Sequence, residues 1–147
     1  YLTIPLVYLW KFTIIAFVIW VGCFMFGYKV TYSNCWSIVL ISEFIFTIPE
    51  LIKIVWFMFI DTDPDYNTVL NFYPLAAINL FDIEQLQKRF VYPLKALNLF
   101  EVVYWVALIY GVHAYAKKKR NIAVFIVLSS YVILFLIWLA FYSIVYD

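Results

Sequence analysis

The sequence predicts an all-α polytopic membrane protein, a helical bundle with four spans and short interfacial helices in its central loop. Three observations carry this expectation. Of the 147 residues, 67% are hydrophobic, 23% aromatic and only 13% charged, which is more apolar surface than a soluble domain of this size can hide. The apolar residues fall into four runs, each long enough to cross a hydrocarbon core of about 30 Å at about 1.5 Å per helical residue. A basic turn, Lys117, Lys118, Lys119 and Arg120, separates the last two runs, and short-loop charge of this kind orients a membrane protein.

Residues 1–147 read as a single transmembrane domain. The first span runs from Trp10 to Tyr28, extendable upstream to Pro5. It has no basic run ahead of it and no small-residue cleavage site behind it, so it reads as a mature span and not as a signal peptide. The second, Ser37 to Ile60, is interrupted by Glu43, Glu50 and Lys53. Residues 61–98 form an interfacial loop. The third span is Leu99 to Ala116 and the fourth, without any charge, Ile122 to Tyr146. The positive-inside bias places the basic turn 117–120 in the cytoplasm. Lys29 is then inside too, whereas Tyr1, the Asp61, Asp63 and Asp65 group and Asp147 lie outside. Lys88, Arg89 and Lys95 oppose this orientation, but they sit in a longer loop diluted by acids. A bacterial cytoplasmic membrane is the expected location, with a eukaryotic endomembrane as the alternative.

Charges within a span are the first candidates for function, because each costs about 2.5–3.5 kcal/mol at mid-bilayer on the insertion scale and needs a partner. Glu43 and Glu50, at heptad spacing, would share a face of a continuous helix, and Glu50 and Lys53 are close enough in sequence to pair. Pro49 removes a helical N–H and is expected to kink the span. Two readings follow: a proton or ion relay through Glu43, Glu50 and Lys53, or structural pairing in a bundle or with another subunit.

The loop contains an internal duplication. Tyr73-Pro74-Leu75-Ala76-Ala77-Ile78-Asn79-Leu80-Phe81-Asp82 recurs as Tyr92-Pro93-Leu94-Lys95-Ala96-Leu97-Asn98-Leu99-Phe100-Glu101, with seven of ten positions identical. Each copy ends in Asn-Leu-Phe and an acid, the order of a capping box, with Asn as N-cap and the carboxylate at N3. Helices are therefore expected to start at Asn79 and at Asn98. The first, Leu80 to about Phe90, would place Leu80, Ile83, Leu86 and Phe90 on one side and lie flat in the interface. The two copies are either helix-start sequences at a membrane surface or the walls of a ligand or partner cradle.

Other chemistry is weakly signalled. Cys23 and Cys35 suit small apolar fillers better than a disulfide framework or metal site. His113 stands alone among histidines, at headgroup level. Asp61-Thr62-Asp63-Pro64-Asp65 begins like a calcium loop, but Tyr66 stands where glycine is needed and Phe72 where the closing glutamate is needed. No metal or cofactor is expected, nor a nucleic-acid partner at a net charge of +1. No nucleophile with an adjacent base and no phosphate-binding glycine loop is present, so no enzyme is expected.

The run Asn34-Cys35-Trp36-Ser37-Ile38-Val39-Leu40-Ile41-Ser42-Glu43 leading to Pro49, then Asn98-Leu99-Phe100-Glu101-Val102-Val103-Tyr104-Trp105 through Gly111, the basic turn and a last uncharged span together resemble the Yip-type membrane domain, whose eukaryotic members interact with Rab GTPases. The resemblance covers about Asn34 to Asp147. It implies five spans with a cytoplasmic N-terminus, hence one span upstream of Tyr1, and a non-enzymatic role in membrane organisation, trafficking or complex assembly. It carries no catalytic residues. The duplicated Tyr-Pro-Leu loop departs from the family pattern. The expected function is an interaction or assembly subunit of a membrane complex, with the bilayer and other membrane-protein subunits as partners; the alternative is a component of an ion- or proton-coupled transporter.

Overall fold

The structure, a computed structural model, describes residues 1–117 and 119–145. Lys118 of the basic turn, Tyr146 at the expected end of the fourth span and Asp147 lie outside the described residues. The described chain is helical, in the order α1 (Thr3–Met25), α2 (Tyr32–Glu43), a 3-10 turn (Phe44–Phe46), α3 (Thr47–Phe59), α4 (Tyr66–Asn71), two further 3-10 turns (Ala77–Leu80 and Ile83–Gln85), α5 (Lys88–Ala96), α6 (Leu99–Ala116), α7 (Arg120–Val127), a π turn (Leu128–Val132) and α8 (Ile133–Val145). Three helices are long and apolar enough to cross a membrane: Thr3–Met25, Leu99–Ala116 and the continuous Arg120–Val145. Only 17%, 28% and 33% of their apolar windows are buried, so most of their hydrocarbon surface faces outward. An aqueous surface of that kind is unfavourable in proportion to its area, whereas lipid solvates it.

The helices divide into two compact units. One comprises Tyr1–Glu43 and Tyr104–Ile137; the other comprises Phe44–Val103 and the described residues from Trp138 on.

In the first unit each helix buries a narrow stripe at three- and four-residue spacing: Ile15, Ala16, Ile19, Gly22 and Cys23 on α1, Cys35, Ile38, Val39 and Ser42 on α2, Tyr104, Leu108 and Val112 on α6, and Ala123, Ile126 and Val127 on α7. That spacing is one face of a 3.6-residue helix. The remaining faces carry exposed Leu6, Leu9, Phe17, Trp20 and Phe24 on α1. α1 stops in a Schellman turn. Gly27 takes φ +78°, its N–H donates to Phe24 O at 3.0 Å, and the Tyr28 N–H donates to Cys23 O at 2.9 Å. Two glycines set close approaches. A Cβ at Gly111 would lie 2.5 Å from Ile38 Cγ2, and one at Gly22 would lie 3.0 Å from Ser130 Cβ. Opposite Gly22 the chain widens into the π turn, where Ser129 and Ser130 hydroxyls donate to Phe125 O at 2.6 Å and Ile126 O at 2.5 Å. Serine back-bonding satisfies polar groups where no water is at hand.

In the second unit the two repeat copies meet. Ala76 and Asn98 form an antiparallel bridge, with Ala77 N–H donating to Leu97 O at 2.8 Å and Leu99 N–H to Leu75 O at 3.2 Å. Leu75 is held at φ +58°, a conformation that leucine adopts only when its surroundings impose it. The rings of Trp56 and Phe57 on α3 sit 5.6 and 5.1 Å from Phe72, and Tyr92 of α5 lies 4.4 Å from Tyr142 of α8.

Two sequence expectations are corrected. The helix expected over Leu80 to Phe90 does not form; two 3-10 turns replace it, and the helix starts later, at Lys88. The bridge to residues 97–99 fixes the backbone just ahead of Asn79, and the Asn79 amide donates to Tyr73 O at 2.7 Å instead of capping. The apolar stretch from Ser37 to Ile60 is likewise no continuous helix. α2 ends at Glu43, a 3-10 turn takes Phe44–Phe46 and α3 begins at Thr47, so Pro49 occupies the first turn of α3, where its missing N–H costs little.

Candidate functional site

Within the first unit an ion pair joins Glu43, at the end of α2, to Lys11 on α1. Lys11 Nζ lies 3.1 Å from Glu43 Oε1 and donates to Oε2 at 3.3 Å. The carboxylate is 11% exposed and the ammonium 43%, so the acid is enclosed while the lysine stem runs along the apolar surface and leaves its head at the edge. Aromatic contacts hold the hairpin: Phe12 meets Trp36 edge-on at 6.2 Å, and Trp20 meets Tyr32 edge-on at 6.3 Å. The Tyr32 hydroxyl donates to Thr13 O at 3.1 Å, and the Thr13 hydroxyl to Leu9 O at 2.7 Å. An antiparallel pair of apolar helices can carry one acid and one base only if their charges meet, since either alone would be uncompensated. Sequence reading had not singled out Lys11. Its signal was charge balance: a lysine beside the start of the first span and an acid in the second at the depth a hairpin would match.

The remaining charges of the expected cluster lie elsewhere. Glu50, in the first turn of α3, is exposed, and no contact within ion-pair distance joins it to Lys53. This corrects the expected Glu50–Lys53 pair. Glu43 ends α2, whereas Glu50 stands in the first turn of α3, beyond the 3-10 turn Phe44–Phe46. Glu43 belongs to the first unit, Glu50 and Lys53 to the second. Lys53 instead places its ammonium 6.0 Å from the centroid of the Tyr73 ring. Not one residue of α3 is buried.

The two repeat copies use the same residues differently. In the first, Tyr73 and Pro74 lead into the turn that carries Leu75, and Asn79 lies inside a 3-10 turn. In the second, Tyr92 and Pro93 lie within α5, where Pro93 is buried, and Asn98 caps α6: its Oδ1 accepts the Glu101 N–H at 2.8 Å. Glu101 is itself buried. The Lys95 ammonium stands 4.8 Å from the Tyr73 centroid. Burial, and after it the nearby Lys53 charge, lowers the Lys95 pKa from its ordinary value.

Cys23 and Cys35 are free thiols, both buried. His113 lies in the last turn of α6, with Nδ1 enclosed and without a hydrogen-bond partner among the described residues. Among these residues no group of three or more His, Cys, Asp or Glu side chains is placed to hold a metal ion. Comparison with protein-family models, with characterised proteins and with solved structures finds no match for this chain.

Proposed function

We propose that the chain is a non-enzymatic organising subunit of a membrane complex. In this reading α2, the 3-10 turn and α3 together form a second crossing, giving four spans, and residues 61–98 lie at the outer interface. The observation that carries it is α3. It has no buried residue, and it bears an exposed Glu50 with no cation within ion-pair distance among the described residues. Lipid alone is a poor environment for a carboxylate, so a second chain supplying a donor or cation at Glu50 supports assembly. The Yip-type resemblance points toward the same class of role.

The test compares wild type with Glu50→Gln in mild detergent and in sealed vesicles. The expected outcome is reduced recovery of co-purifying chains with no proton or cation flux in either form. Flux in the wild type that disappears in a fully assembled Glu50→Gln variant would instead establish the relay through Glu43, Glu50 and Lys53. Orientation is tested separately: a cysteine at Lys119 should be labelled only from the cytoplasmic side and one at Asp65 only from the opposite side. Burial of Cys23 and Cys35 keeps the native background low.

A further inference from the structure

Lys53, Lys95 and Tyr73 come from three separate segments, yet both ammoniums converge on one aromatic ring. The two ammoniums lie 6.0 and 4.8 Å from the same ring centroid, and that ring is exposed. The arrangement is built. Tyr73 is held through its carbonyl by the Asn79 amide, Leu75 two residues on is locked at positive φ by pairing with Leu99, and Lys95 projects from α5, whose Pro93 is buried. Like charges brought this close repel; a ring face offsets part of that repulsion and an anion between them offsets more. Burial first, and the Lys53 charge second, hold the Lys95 pKa below its ordinary value.

We infer that Lys53, Lys95 and Tyr73 form a binding site for the phosphate group of an anionic lipid. Two ammoniums, with the Tyr73 hydroxyl as a neutral third donor, suit the several acceptor oxygens of a phosphodiester. The source of the phosphate follows from the segments. Lys53 stands on α3, whose apolar side chains from Ile54 to Phe59 are left unburied, so a lipid whose chains lie along that part of α3 would bring its headgroup to the ring. The inference rests on the membrane reading of the chain but not on the assembly role.

The test is native mass spectrometry of protein released from phosphatidylcholine vesicles titrated with phosphatidylglycerol. Incorporation into vesicles is scored first, so a chain that never inserts refutes the membrane reading rather than the site alone. Wild type should retain phosphatidylglycerol over phosphatidylcholine. Lys53→Gln and Lys95→Gln should each weaken that retention about fivefold, and the double variant about 25-fold, from the usual contribution of one lysine near an anionic surface. Lys88→Gln, at the exposed start of the same α5, should leave it within about twofold. Should Lys53→Gln fail to insert, Lys53→Arg, which keeps the charge and should keep retention, and Tyr73→Leu, which removes the ring and should lower it, carry the test. Equal retention in wild type and variants, or an equal loss from Lys88→Gln, overturns the site. Displacement of the lipid by inorganic phosphate overturns the lipid as its ligand and reassigns the site to free phosphate.

Discussion

The two units treat the charges on their apolar helices in opposite ways. The first closes its account internally: Glu43 meets Lys11 within one hairpin, and four interlocking stripes bury the faces around it. The second leaves α3 with no buried residue and Glu50 exposed, and its lysines gather on a surface ring. A charge satisfied by its own hairpin belongs to the stability of the fold. A charge left at the surface of an apolar helix points to something outside the chain, and function is better sought there.

The sharpest way to break this contrast is to open the internal pair. Lys11→Leu leaves Glu43 enclosed without its cation and should cost about 3 kcal/mol, read by unfolding in mixed micelles. Adding Glu43→Leu should recover most of the loss, and a double-mutant cycle without coupling would show that the pair is incidental. Next in size, Gly111→Ala pushes a methyl into Ile38 and should destabilise the first unit by about 1–3 kcal/mol, with Ile38→Val partly relieving it. In the second unit the repeat copies should separate: Asn98→Ala removes a working cap and should cost about 0.5–2 kcal/mol, whereas Asn79→Ala removes only an exposed turn bond and should cost less than half as much. Equal effects would mean that Asn79 also caps a helix. The smallest effect is that of pH on Lys95. Its folded pKa lies below the ordinary 10.5, so the unfolded chain binds more protons in the interval just under 10.5. Stability should therefore rise with pH through that interval, and Lys95→Gln should flatten the rise.

Local rules explain what was legible in advance. α6 starts and stops where the Asn98 cap and the basic turn say it should, at Leu99 and Ala116, because a cap is a contact between residues three apart. The apolar runs expected from Trp10 and from Ile122 fall within the helices Thr3–Met25 and Arg120–Val145 over most of their length, because hydrophobic length is also a local property. Asn79 shows the limit. It carries the same Asn-Leu-Phe-acid signal as Asn98, but its amide reaches back to Tyr73, and pairing of Leu75 and Ala77 with Leu99 and Leu97 leaves no room for a helix to begin there. Pro49 shows it again: a proline deep in an apolar run marks an irregularity, but only the structure shows that it takes the form of a 3-10 turn at Phe44–Phe46.

Composition, the apolar runs and the cap at Asn98 thus determined an all-helical chain with helices long and apolar enough to cross a membrane, since hydrophobic length and capping depend on neighbours in sequence. Tertiary structure alone decided which charges meet. Lys11 finds Glu43, and Lys53 turns to Tyr73 rather than to Glu50. A side-chain pairing depends on the register between segments distant in sequence, and that register is set by the packing of whole faces, which no local pattern records.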